Sequence, residues 1–370
     1  MRATEQLHKL GQSLWLDNIT RALVQDGTLA RYIREFSVTG LTSNPTIFQK
    51  AVKNSDLYDA TIKERSAAGV RGEALFFELA LQDLTAAADL FRPVHKHTNG
   101  VDGWVSLEVS PLLAEDAAGS VAAARDLHAR AARPNLFIKI PGTGAGLVAI
   151  EESIFNGVPI NVTLLFSREQ YLAAAQAYMR GIERRIGAGL DPKVTSVASV
   201  FISRWDVAVK DKVGPELQNK LGIAIAQRCY LAYRDLLNSP RWTKLAEAGA
   251  LPQRLLWAST GTKDPKAPDT LYIEALAAPD TINTIPDKTL LAFAEHGRAN
   301  DTMTFDPAAS DRWEDVIGEF NNLGINDDQL AAQLQQEGTA AFSKSWQQLL
   351  TEIDTKSSAA EGTGTTAVHS

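Results

Sequence analysis

In NLFIKIPGTGAGLVAIEESIF (135–155) a short apolar run, Leu136–Ile140, passes through a glycine-rich turn into Leu147–Phe155, where apolar residues recur at helical spacing. A strand that hands directly to a helix is half of a βαβ unit, because parallel strands need a long crossover between them. The same alternation extends in both directions. Strand-like runs are Leu14–Ile19, Val38–Ser43, Trp104–Ser110, Ile160–Ser167, Ser196–Ile202, Arg254–Ser259 and Thr281–Ile285. Between them, Arg21–Glu35, Gly72–Leu90, Gly119–Ala132, Arg168–Ile186 and Pro215–Leu237 carry helical spacing. Strands that are apolar throughout suit a sheet covered on both faces.

Counting Leu136–Ile140, there are eight such strands, and eight parallel strands close a barrel. A doubly wound open sheet is the alternative at this level. The expected fold class is therefore α/β, a TIM (β/α)8 barrel. Extra C-terminal helices are expected near Lys288–Glu295, Asp311–Asn321 and Asp327–Ile353. Residues 1–355 read as a single domain. Lys356–Ser370, rich in Ser, Thr, Gly and Ala, reads as a disordered tail, since it has too little apolar surface to offset the cost of ordering.

The 370 residues suit a barrel with additions, for which about 250 residues is typical. With 45% hydrophobic and 22% charged residues the chain has the apolar mass for a core. A net charge of −7 argues against nucleic acid or an anionic membrane surface as partner, because both are usually met by a basic face. An anionic substrate would need a local cluster of cations. A single cysteine, Cys229, excludes an intrachain disulfide and reads as a small buried hydrophobe in a helix. There is neither a secretory leader pattern nor an apolar run of about 18 residues, so a cytoplasmic location is expected.

In a barrel the C-terminal strand ends form the reactive face. Polar residues collect there: Asp17, Thr42, Asn44, Glu108, Lys139, Asn161, Thr163, Ser199, Arg204 and Ser259. Lys139 is the sharpest, an amine in the middle of an apolar strand. Burial disfavours an ammonium, and a neutral amine attacks carbonyls to form a Schiff base. A structural lysine paired with a carboxylate is the competing reading. With Glu108 and Asp17 expected on neighbouring strands, catalysis is favoured. Ser259-Thr260-Gly261-Thr262-Lys263, with Arg204, offers hydroxyls, N–H groups and cations to a phosphate. The glycines of 141–146 match neither phosphate-loop spacing and read as a tight turn. His95 and His97 lack a third ligand in sequence reach and read as a loop, so no metal site is expected.

Seven segments together resemble the transaldolase family: LWLDNITR (14–21), GLTSNPTIFQKA (40–51), SLEVSP (106–111), NLFIKIPGT (135–143), GVPINVTLLFS (157–167), SVASVFISRWD (196–206) and LLWASTGTKDP (255–265). The last two look like its longer bacterial branch. The resemblance implies a class I, Schiff-base transaldolase that needs no metal or organic cofactor and acts on small-molecule sugar phosphates. It implies Lys139 as the Schiff-base lysine, Asp17 as the acid–base at the C4 hydroxyl, and Glu108 with Thr163 moving protons through a water. It places Asn44, Asn161 and Ser199 around the bound dihydroxyacetone unit, and Arg204 and Ser259 at the phosphate. Thr42 is expected beside the substrate. Where shorter members carry an arginine two residues after this serine, the chain has Gly261, and Lys263 is expected to supply the charge.

Overall fold

The computed structural model describes residues 1–299, 303 and 307–362. Eight strands run in chain order: β1 Ser13–Asp17, β2 Val38–Thr42, β3 Trp104–Glu108, β4 Leu136–Pro141, β5 Ile160–Leu165, β6 Ser196–Phe201, β7 Arg254–Ala258 and β8 Thr281–Ile285. All neighbours pair in parallel, and β8 returns to β1, so the sheet is a closed barrel and the open-sheet alternative falls away. Nearly every strand residue is buried, as a sheet with helices outside and side chains inside demands.

Polar residues just past the strands start the following helices. Asn44, Thr143 and Ser167 each accept a hydrogen bond from the backbone N–H three residues on, which caps Pro45–Lys53, Gly144–Phe155 and Arg168–Gly187. Each cap is worth about 1 kcal/mol. The glycine-rich turn after β4 is therefore a capped strand-to-helix corner.

Some expected helices change at their ends. Arg21–Glu35 is two helices, Arg21–Gln25 and Thr28–Phe36, broken at Gly27, whose φ is +81°. The helix beginning at Gly72 continues past Leu90 to His97 with Pro93 inside it, so His95 and His97 lie in a helical turn and not in a loop. Pro215 falls before the helix, which spans Leu221–Leu237 and buries Cys229. The largest change is at the C-terminus. The last helix runs Asp327–Gly362, so 356–362 are helical where a disordered tail was expected. Lys356 Nζ donates to Ser55 O (3.0 Å), and Ser357 Oγ pairs with Ser66 Oγ (2.9 Å). Docking supplies the anchorage that composition could not reveal. Residues 363–370 lie outside the described residues. Among the described residues, no helix is long and apolar enough to cross a membrane.

Side chains inside the barrel are layered. At the N-terminal end, Asp102 Oδ1 accepts from Trp15 Nε1 (3.0 Å) and lies 3.4 Å from Arg254 Nη1, while Arg254 Nη2 donates to Ser13 Oγ (2.7 Å) and Thr281 O (3.0 Å). Above this polar plug, Phe137 stacks on Trp104 with ring centroids 4.1 Å apart, and the Trp15 ring lies 6.2 Å from Phe137. Gly40 makes room for this aromatic floor. A Cβ there would fall 2.7 Å from the Trp15 indole and 2.8 Å from Trp104 O. Gly40→Ala is expected to destabilise the fold by about 1–3 kcal/mol, the usual result of overpacking a rigid core. Urea unfolding followed by tryptophan fluorescence measures it, and an unchanged midpoint would refute the packing argument.

Candidate active site

Register brings Lys139 level with Glu108 on one side and Asn161 on the other. The Lys139 and Glu108 side chains are only 5% and 6% exposed, and Lys139 Nζ lies 3.5 Å from Glu108 Oε2. At that distance they form an ion pair rather than a tight hydrogen bond. Lys139 Nζ also donates to Ser43 O (3.1 Å). Burial pushes the Glu108 carboxyl up to about 7, against the opposing pull of Lys139. Glu108 thus titrates near neutrality, within reach of the amine. Glu108 Oε2 and Thr163 Oγ1 are buried and, among the described residues, have no hydrogen-bond partner.

Asp17 reaches the same space from the other side. It sits on β1, with β2 and β3 between it and β4, so it is not on a strand adjacent to Lys139; closure of the barrel brings the two together. Thr42, level with Asp17 on β2, donates to Asp17 Oδ1 (3.0 Å) and shares a 2.8 Å contact with Thr284 Oγ1 on β8. Burial raises the Asp17 pKa, while Lys139, Thr42 and Lys263 oppose the rise. The two carboxyls therefore sit in distinct environments around one amine. Asn161 is locked between Ser106 Oγ, to which its Nδ2 donates (3.1 Å), and Ser199 Oγ, which donates to its Oδ1 (2.7 Å).

The outer end of the pocket is cationic. Arg204 follows β6, and its guanidinium packs over the Phe201 ring (5.1 Å) and the Phe342 ring (5.8 Å). Among the described residues no hydrogen bond or ion pair engages it. Burial lowers its pKa, offset by Asp17, Glu337 and Glu108. Ser259, just past β7, has φ +56°, a left-handed conformation costing about 1–3 kcal/mol for a residue with a side chain. Ser203 holds it there by N–H donation to Ser259 O (3.0 Å) and an Oγ–Oγ contact of 3.0 Å. Lys263 Nζ lies 3.7 Å from where a Gly261 Cβ would be. The ammonium thus lies close to position 261, where Pro286 is the nearer neighbour.

One pocket is lined by Asp17, Thr42, Asn44, Lys139, Ser199, Arg204, Ser259 and Lys263. Of the sequence-derived candidates, Glu108, Asn161 and Thr163 do not line it; all three are buried behind it on β3 and β5. The pocket wall also includes Phe201, Thr284, Pro286 and Phe342, which sequence reasoning did not name. Phe342 comes from the C-terminal helix, far in sequence from every other wall residue. Only the apolar face of that helix hinted at burial. Among the described residues no group of three or more His, Cys, Asp or Glu is placed to hold a metal ion.

A closed parallel barrel with a buried amine and two carboxyls at its C-terminal end defines a (β/α)8 enzyme. The pattern of the transaldolase/fructose-6-phosphate aldolase family matches residues 14–353. A curated transaldolase of Arthrobacter sp. (strain FB24) is 44% identical over 362 residues, covering 95% of this chain and 96% of its own. One from Thermobifida fusca (strain YX) is 43% identical, covering 94% and 96%, and one from Neisseria gonorrhoeae (strain ATCC 700825 / FA 1090) is 42% identical, covering 95% and 100%. The chain belongs to the transaldolase/fructose-6-phosphate aldolase family.

The coupling between Lys139 and Glu108 has a definite sign. Lys139 lowers the Glu108 pKa, so Lys139→Met is expected to raise it further and increase the protonated fraction at pH 7. Infrared difference spectra of the carboxyl C=O band, with Glu108→Gln as the reference, measure this. A band unchanged by Lys139→Met would mean that the two groups are not coupled.

Proposed function

We propose that this chain is a transaldolase that carries a dihydroxyacetone unit on Lys139. It moves the unit between sugar phosphates of the non-oxidative pentose phosphate pathway in the cytoplasm. Sedoheptulose 7-phosphate or fructose 6-phosphate is the donor, and glyceraldehyde 3-phosphate or erythrose 4-phosphate the acceptor. The observation that supports this most is the placement of Lys139. Its amine is buried beside a carboxyl that titrates near 7, in a pocket whose far end holds two cations that no hydrogen bond or ion pair engages among the described residues.

The Lys139 amine adds to the C2 carbonyl of the ketose and water leaves, giving a protonated imine. Glu108, with Thr163 and a bridging water, moves the protons this exchange requires. Asp17 takes the C4 hydroxyl proton as the C3–C4 bond breaks. The bond's electrons flow into the iminium, giving a neutral enamine, and the aldose phosphate departs. The acceptor aldehyde then bonds to the enamine carbon, and Asp17 returns its proton to the new hydroxyl. Hydrolysis of the imine releases the new ketose. Thr42 orients Asp17. Asn44 and Ser199 hold the three-carbon unit, with Asn161 behind the pocket fixing the Ser199 hydroxyl, and Arg204, Ser259 and Lys263 hold the phosphate. Charge-assisted contacts to phosphate are the strong ones, which suits a guanidinium and an ammonium at this end of the pocket. Between the two aldehydes the enamine must not be protonated, so the site has to restrict proton delivery from water.

Borohydride reduction in the presence of fructose 6-phosphate tests the carrier. Intact mass and peptide mapping should find a reduced three-carbon adduct on Lys139 that disappears when erythrose 4-phosphate is added before the reductant. An adduct discharged as fast by water alone would make the protein an aldolase, and no adduct on folded protein would overturn the Schiff-base reading. Lys139→Ala should lose activity on the order of 10⁴-fold or more, as nucleophile removal does.

Lys263→Ala should raise the KM for sugar phosphates roughly ten- to hundredfold, the worth of one charge-assisted contact. An unchanged KM would remove Lys263 from the phosphate site.

A further inference from the structure

The C-terminal helix reaches across the reactive end of the barrel at one turn. Gln335 Nε2 donates to Gly142 O (3.1 Å) and Leu164 O (2.9 Å), the turns after β4 and within β5. Leu164 has φ +57° and interrupts the β5–β6 register, so the helix braces a strained corner one residue past Thr163. Gly338 follows, buried in the middle of the helix. A Cβ there would lie 3.0 Å from Arg204 Nη1 and 2.9 Å from Leu164 Cδ2. Phe342, one turn further, sets its ring 5.8 Å from the Arg204 guanidinium, and the Phe201 ring lies 5.1 Å from it.

These contacts matter because the Arg204 head is held by packing. It is more than half buried and has no hydrogen-bond or ion-pair partner among the described residues, so its direction is set by what it packs against. Glycine is a poor choice for a helix interior, and a glycine buried there signals close approach of another group. Here two groups approach, the Leu164 side chain and the guanidinium. From this we infer that the helical turn Gly338–Phe342 is a positioning element that aims the Arg204 guanidinium at the phosphate of the substrate: Gly338 by leaving space for it, Phe342 by packing against it. The inference rests on the phosphate-binding role proposed above for Arg204. It makes Gly338 and Phe342 positioning residues that determine affinity for phosphorylated over phosphate-free substrate.

Gly338→Ala separates this role from a structural one. Alanine is the better helix former, and the atoms it would push are the ends of two flexible side chains, so a merely structural glycine predicts equal or higher stability and unchanged kinetics. The positioning role predicts a KM for fructose 6-phosphate and an inhibition constant for inorganic phosphate raised by the same factor, on the order of tenfold for a displaced binding group. The unfolding midpoint should not fall, and the rate of borohydride-trapped adduct formation with dihydroxyacetone, which has no phosphate, should stay at the wild-type value. Phe342→Leu, which keeps the helix face apolar and removes the ring, should move the same two constants, roughly two- to thirtyfold.

Unchanged constants in both variants would overturn the inference. So would a fall in the dihydroxyacetone adduct rate by the same factor, which would mean general damage to the site. Calorimetric titration of inorganic phosphate into wild type and Gly338→Ala checks the arginine without turnover. If wild type forms no adduct, the Schiff-base function fails, yet weaker phosphate binding by Gly338→Ala would still support the positioning role.

Discussion

Lys139 and Glu108 are opposite charges on adjacent strands, held 3.5 Å apart and almost wholly removed from water. Moving either into the interior alone would cost several kcal/mol, and their attraction offsets this only with help. The help is local: the Ser43 carbonyl on the amine, and a pocket that leaves the amine a narrow opening. Shifting the β3–β4 register by one residue would turn one of the two side chains to the outside of the barrel, because successive residues alternate faces. The pairing of these strands and the chemistry of the pair are therefore one constraint.

What lies beneath the pair serves it by being rigid. The Trp104–Phe137 stack closes the space under Lys139, and Gly40 lets Trp15 complete the floor. Further down, Asp102 and Arg254 satisfy each other and the strand ends around them. Polar side chains occupy both ends of the barrel but differ in kind. At the N-terminal end the carboxylate and guanidinium find partners within the protein. At the C-terminal end, among the described residues, no hydrogen bond or ion pair engages Arg204 or Lys263. The first arrangement stabilises, and the second keeps donors free for an anion.

The last helix ties the top of the barrel together. It packs on the helices that follow β2, bonds the turns after β4 and within β5, and contributes Phe342 to the pocket wall. An arginine flanked by two rings and facing a helical glycine has few directions left. The strained backbone at Leu164 and Ser259 also sits where these elements meet. Such conformations persist only when the surroundings over-determine them.

The sequence by itself determined the alternation of eight apolar runs with helical segments, and hence a parallel sheet with a barrel as its expected form; closure of β8 on β1 was decided by the tertiary structure. It also determined which polar residues would gather at one end, because strand direction assigns every strand's C-terminal end to the same face. Lys139, Asp17, Thr42, Ser199 and Arg204 were legible for that reason. Only the tertiary structure decided that Asp17 approaches Lys139 from across the barrel, that Asn161, Glu108 and Thr163 stand behind the pocket, and that 356–362 continue a helix. It alone brought Gly338 and Phe342 to Arg204. Periodicity reports what a residue does within its own element. Contacts between residues more than a hundred positions apart depend on how the elements pack, and a glycine or phenylalanine in a helix does not say what it will face.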